Sequence, residues 1–412
     1  MNGLFRKTAL ALAAAGCFGT GAANAAEVDT KGGIKVKSDD GQFVGEFNGR
    51  MHYDIYGFSN DGNIRNDNGD DFRRLRLSGK GTMYGVYEGK IEIDFRTNRA
   101  NGESSNVVMR DVWLSYSGFE LGKLTAGHQK VPMGLDELTS SNYIWFIERA
   151  APVSLITDGA HRRGLQFSGQ RGNWTYAVMG YDSNNRNAAD TDSGATERNG
   201  SAGFGYGGRL TWTPLKDKAQ VLHLGLSAAK EEAENLSDRT TRYEANLADS
   251  VLVADFLAAP DDGDDLTKYG IEAAYVSGPF SMQAEYLNAK VSSDAAGDPE
   301  FGGYYVAASY FLTGESRPYR ASNGTFDRIK PNGKNGAWEV LARYSTVDGE
   351  VDTRDDNEIS NITLGLNYYI NPQIRLMANI MQADVDANGA GAAAARREGE
   401  PRTLAFRAQF DF

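Results

Sequence analysis

Apolar and polar side chains alternate along nearly the whole chain, the two-residue period of a β-strand whose two faces meet different media. Phe43, Phe47, Met51, Tyr53 and Ile55 share one face of the first long stretch, with Glu46, Asn48, Arg50, His52 and Asp54 on the other. Next, Leu75, Leu77 and Met83 alternate with Arg74, Arg76, Ser78 and Lys80. Tyr87, Ile91, Ile93 and Phe95 then alternate with Glu88, Lys90, Glu92 and Asp94. The last stretch sets Leu404, Phe406, Ala408, Phe410 and Phe412 against Thr403, Arg407, Gln409 and Asp411. Similar segments fall near residues 108–117, 119–129, 164–171, 173–181, 204–213, 220–230, 267–276, 280–291, 302–312, 338–347, 359–370 and 374–382. Together they predict about 16 strands.

No stretch of about 18 consecutive apolar residues and no 3.6-residue periodicity interrupts this pattern, so a membrane helix is not expected. A sheet with an apolar face in lipid must pair every backbone amide, which requires closure. Short turns are predicted at Gly85-Val86, Ser117-Gly118, Gly172, Pro214–Lys218, Ser277–Pro279 and Asn371–Gln373. Between them come long polar stretches at 57–71, 97–107, 130–163, 182–203, 231–266, 292–301, 348–358 and 383–400. Short turns on one rim and long loops on the other predict an all-β, antiparallel transmembrane barrel of the outer-membrane type over residues 43–412. Segment 313–337 is the exception, long where a turn is due. Tyr84 and Tyr87, Tyr116 and Phe119, and Tyr275 and Phe280 bracket short turns, where amphipathic rings suit the lipid–water boundary. The terminal Phe410-Asp411-Phe412 resembles the signal read by the barrel assembly machinery.

The opening reads as an export signal over residues 1–25. Arg6 and Lys7 are followed by apolar Thr8–Phe18 and by Ala23-Asn24-Ala25, an A-x-A cleavage pattern. Residues 26–42 would then be a short N-terminal periplasmic segment. Cys17 follows Ala15-Gly16 as in a lipidation site, but position 14 is Ala where Leu is usual. It is the only cysteine, so the mature chain offers neither disulfide nor thiolate chemistry. Loss of Arg6 and Lys7 would take the net charge from −12 to −14, which speaks against nucleic-acid binding.

Candidate sites of other kinds fail on context. The Gly203–Gly208 G-x-G-x-x-G spacing sits within a strand and no helix follows it. His52, His128, His161 and His223 lack metal-ligand spacing, and no hydrolase motif is present, although His52 is expected to face the lumen. The acidic runs Asp261–Asp265 and Asp352–Glu358 lack calcium-loop spacing. No catalytic residue, metal site or cofactor is expected.

A barrel of about 16 strands is too wide for side chains to fill, so an aqueous channel is expected, lined by charges of both signs. The loop Lys130–Arg163 carries Ile144, Trp145, Phe146 and Ile147, which a loop in open water would not need. An inward-folded third loop would bury them, whereas packing over the mouth or on a neighbour is the alternative.

Three stretches resemble the phosphate-selective porin O and P family: Phe72–Leu77, Gly127–Arg149 with its Pro132–Ser141 core, and Leu312–Pro331. The resemblance extends over the mature chain. It implies a homotrimer of sixteen-stranded barrels in the outer-membrane lipid, with the third loop in the pore and small anions, phosphate included, as solutes. It points to Arg73, Arg74, Asp94 and Lys130 as path residues, and inward alternation adds Arg76 and Lys80. Alternation puts only one of Arg73 and Arg74 inside unless the strand is bulged. Pro132, Asp136, Glu137, Glu148 and Arg149 are the candidate constriction-loop residues. Between Val131 and Glu148 there is no lysine or arginine, a departure that favours modest anion preference over phosphate specificity. A general porin, or an adhesive barrel without an open channel, is the alternative reading.

Overall fold

The computed structural model describes residues 27–29, 33–59, 61–62, 68–98, 104–157, 161–183, 203–217, 219–232, 244–246, 252–255, 263–293, 298, 300–351, 354–387 and 397–412. The proposed export signal and Cys17 lie outside them, as do residues 261–262 and 352–353 of the two acidic runs. Sixteen antiparallel strands form one closed sheet. They are β1 Phe43–Ser59, β2 Gly69–Met83, β3 Tyr87–Asn98, β4 Ser104–Phe119, β5 Gly122–Lys130, β6 His161–Arg171, β7 Trp174–Asp182 and β8 Phe204–Lys216. Then follow β9 Gln220–Glu232, β10 Gly263–Ser277, β11 Phe280–Ser293, β12 Glu300–Phe311, β13 Ala337–Val351, β14 Arg354–Asn371, β15 Ile374–Ala387 and β16 Arg402–Asp411. Each pairs with the next, and β16 pairs with β1 from Arg402↔Ser59 to Asp411↔Arg50, which closes the ring.

Every predicted strand overlaps one of these. Alternation decides the sides. Leu75, Ile91, Met109, Leu114, Val178, Leu226, Ile271 and Ile362 point outward and are exposed, whereas His52, Asp54, Glu92, Asp94, Arg209, Glu272 and Arg407 point inward and are buried. Rings line up across neighbouring strands near the turn rim, with Tyr87 on Tyr116, Tyr116 on Phe119 and Phe119 on Phe167 at centroid distances of 5.1, 5.2 and 6.3 Å.

The boundaries differ from expectation at 348–358 and at Ser117-Gly118. The stretch 348–358 is mostly strand, for β13 runs to Val351 and β14 starts at Arg354. Beyond the apolar band both faces are wet, so alternation lapses while the hydrogen-bond ladder continues. The turn predicted at Ser117-Gly118 is a register shift between Tyr116 and Phe119 instead, and β5 begins at Gly122. Segment 312–336 is long on the turn rim and carries a small hairpin of Tyr319–Arg320 with Thr325–Phe326. Ahead of the barrel, Ile34–Lys37 pairs with Val44–Phe47, and Glu27–Asp29 pairs with Lys35–Lys37.

Polar-inside alternation fails on part of the wall. Leu266, Leu287, Val291, Phe301, Leu341, Val347, Ile359 and Val385 are buried on inward positions of β10–β15. They cluster with Met133, Trp145, Phe146, Val153, Leu155 and Ile156 from the β5–β6 connection. That connection contains two short helices, α1 Leu135–Leu138 and α2 Ala151–Thr157. The main apolar core therefore lies between wall and loop.

Candidate functional site

The wall holds residues 135–148 by their main chain. Arg375 Nη1 donates to Ile144 O at 2.8 Å, Asn367 Nδ2 to Trp145 O at 2.9 Å, and Arg407 Nη1 to Ile147 O at 2.6 Å. Arg343 Nη1 donates to Glu148 O at 2.9 Å, and Ile147 N donates to Asn379 Oδ1 at 2.8 Å. Glu285, on β11, accepts Leu135 N and Asp136 N at 2.7 and 2.8 Å. These donors and acceptors come from β11 and β13–β16, separated from the loop by 100 residues or more of sequence. Each satisfies a polar group that burial would otherwise leave orphaned.

Arg73 and Arg74 both reach the same loop carboxylate. Between His52↔Arg74 and Tyr53↔Phe72 the register shifts, so Arg73 is the extra residue of a β-bulge. A bulge re-aims one side chain, and both guanidiniums meet Glu148, at 3.0 Å from Arg73 Nε and 3.3 Å from Arg74 Nη2. Arg407 Nη2 adds a contact of 3.0 Å to Glu148 and one of 2.6 Å to Asp54. Burial pushes the Glu148 carboxyl up, but Arg73, Arg74 and Arg407 outweigh it and hold the group well below the usual carboxylate range.

A second bulge does the same on β4. The β3–β4 register shifts between Ile91↔Val112 and Ile93↔Met109. Adjacent Arg110 and Asp111 consequently both find partners inside: Arg110 meets Asp94 at 3.3 Å, and Asp111 meets Lys90 at 2.6 Å and His161 at 3.4 Å. Arg76 bridges Asp94 at 2.8 Å and Glu92 at 3.3 Å, while Arg50 reaches Glu92 at 3.2 Å and Ser141 Oγ at 2.9 Å.

Glu137 centres a third group, with Lys130 Nζ at 2.6 Å and Arg149 Nε at 3.1 Å. Burial raises its carboxyl, yet Arg149 and Lys130 together bring it down to about 2. Arg149 also donates to the carbonyls of Asp136, Glu137 and Thr139. Asp136 is buried beside it, and burial pushes its carboxyl up. Pro132 lies buried in the same connection.

The structure thus brings Arg73 and Arg74 together with Glu148, Arg76 with Asp94, and Lys130 with Glu137 and Arg149. Lys80 stands apart, paired with Glu88 at 2.8 Å near the turn rim. His52 is buried between Arg74 and Asn142, at 3.5 and 3.2 Å, with no serine among those contacts. Sequence reading missed Arg343, Arg375 and Arg407 as loop anchors, although alternation already marked Arg407 as inward. It also missed Arg317 in segment 312–336. Its guanidinium lies 3.9 Å from the Trp145 ring centroid and 3.5 Å from that of Phe326, so the turn rim touches the loop.

Comparison with known proteins decides the family. The model of the family "Phosphate-selective porin O and P" matches residues 46–412. The chain is 31% identical over 414 residues to Porin O of Pseudomonas aeruginosa, covering 92% of each. It belongs to this porin family. The porin is thereby an outer-membrane protein, in keeping with its lipid-directed wall. Among solved structures, its fold is similar to that of OmpT of Vibrio cholerae in trimer form, with TM-score 0.58, 13% identity, and 90% and 99% of the two chains covered. An anion-selective porin from Comamonas acidovorans also gives 0.58, at 16% identity, covering 90% of this porin and all of that chain.

Proposed function

We propose that this porin is a passive diffusion pore, without a catalytic step or cofactor, that favours small anions, phosphate among them. In this reading residues 131–157 fold into the lumen as its constriction. Six wall side chains binding that segment's main chain support the placement, as does the apolar cluster beneath α2.

One observation carries the anion preference: seven arginines and two lysines are gathered at three ion groups on the inner side of the wall. Arg73, Arg74 and Arg407 face Glu148 and Asp54; Arg50, Arg76, Lys90 and Arg110 face Glu92, Asp94 and Asp111; Lys130 and Arg149 face Glu137. These cations sit inside a wall of low dielectric that focuses the field. The chain as a whole is negative, at −12, so the cationic bias is local to these groups. Family membership and the trimer-form neighbour support a homotrimer.

Reversal potential in a planar bilayer under a potassium chloride gradient tests the reading. An anion-side potential, with chloride current reduced by added phosphate, is expected. A cation-side potential, or no effect of phosphate, would leave a general porin. A barrel that inserts without conducting would leave an adhesive or structural one.

A further inference from the structure

Glu148 receives five guanidinium contacts on its two carboxylate oxygens. Arg73 Nε and Nη2 donate at 3.0 and 3.3 Å, Arg74 Nη1 and Nη2 at 3.4 and 3.3 Å, and Arg407 Nη2 at 3.0 Å. Forked donors of this kind suit any planar or tetrahedral oxyanion, a phosphate as readily as a carboxylate. The nest is not sealed: the side chains of Arg73 and Glu148 keep 22% and 14% of their surface. Such access lets a solvated anion approach the nest while Glu148 still occupies it.

The main chain at this point is fixed independently of the carboxylate. Glu148 O is held by Arg343, Ile147 O by Arg407 and Ile147 N by Asn379. Rotation about the Glu148 side-chain bonds alone is therefore enough to vacate the nest, with the loop unmoved. Asp54, held by Arg407 at 2.6 Å through both oxygens, belongs to β1 and stays behind. Removing the Glu148 charge leaves Arg73, Arg74 and Arg407 with one carboxylate fewer between them.

From this geometry we infer that Glu148 is a tethered competitor for permeating anions, a side chain that fills the three-guanidinium nest and is exchanged for the passing ion. It keeps the site occupied between passages and weakens the hold on each anion, so it sets affinity against throughput. The inference rests on the anion-pore reading and adds the residue that tunes it.

The test is phosphate block of chloride current through the full-length protein in planar bilayers, comparing wild type with Glu148→Gln. The amide keeps the size and drops the charge. Half-blocking phosphate is expected to fall by about tenfold or more, since a like charge within contact distance of the bound ion has been removed. Chloride permeability relative to potassium should rise with it. Adding Arg73→Gln and Arg74→Gln to Glu148→Gln should reverse both changes. If Glu148→Gln fails to insert, Glu148→Asp serves instead: its shorter reach should release part of the nest and give an intermediate shift. Unchanged phosphate block in whichever variant inserts overturns the inference. A wild-type channel that prefers cations would sink the anion-pore reading alone, because a gain of anion selectivity in Glu148→Gln would still reveal the nest.

Discussion

Replacing Trp145 by Ala should loosen residues 131–157 without expelling them. Trp145 is 4% exposed, packs in the cluster with Phe146, Leu155 and Ile156, and lies under the Arg317 guanidinium at 3.9 Å. Truncating a buried tryptophan costs about 3–5 kcal/mol. Loss of the desolvated cation–π contact adds roughly 0.5–2 kcal/mol. Five hydrogen bonds from the wall remain, three of them from guanidiniums. At about 1–3 kcal/mol each they total roughly 5–15 kcal/mol, which matches or exceeds the loss. The segment should therefore keep its place in most molecules but open far more often. Hydrogen exchange in detergent micelles reads that opening directly. At about 1.4 kcal/mol per tenfold, protection of amides near Ile144–Glu148 should drop by roughly 2.5 to 5 powers of ten, while β3 and β14 amides are unaffected. Loop amides that exchange as slowly in Trp145→Ala as in wild type would refute this account of what holds the constriction.

Acid should release the Glu137 clasp within a defined window. Its carboxyl is depressed in the folded chain, from 4.5 to about 2, so its stabilising share is complete above about pH 4.5 and lost as pH falls toward 2. Open-channel noise measured from pH 7 to pH 2 should rise only across that lower window. Lys80→Ala should leave the reversal potential within error, because a third of the Lys80 side chain is exposed and its Glu88 pair is worth about 0–1 kcal/mol; a lost anion preference would move the selective region to the turn rim. Gly49→Ala should hinder closure, for an added Cβ would stand 2.5 Å from Phe412 Cε1. The strain of about 1–3 kcal/mol should lower the yield of heat-modifiable barrel on gels, whereas Gly79→Ala, with nothing within 4 Å, should assemble like wild type.

Strands such as β3 were legible because a lipid-facing wall forces a two-residue period that no soluble pattern imitates. Arg73 was harder. Its place inside depends on a one-residue bulge, which costs the ladder little and leaves no mark on hydrophobicity. The Arg110-Asp111 pair is hidden in the same way. Pairings such as Arg407 with Glu148 join residues more than 250 positions apart, and only barrel closure brings them near. The apolar inner face on β10–β15 blurs the alternation, since those residues are covered by the loop on one side and lipid on the other. Loop ends near 348–358 went astray because hydrogen bonding, unlike side-chain patterning, does not stop at the membrane surface.

The wall grips the β5–β6 connection by backbone carbonyls at Ile144, Trp145, Ile147 and Glu148, atoms that every amino acid possesses. The route of this loop is consequently insulated from most of its own side chains. Substitutions there can alter what the pore admits while its course through the barrel persists. Selectivity in such a channel is an exchangeable lining carried on a fixed track, open to revision one residue at a time.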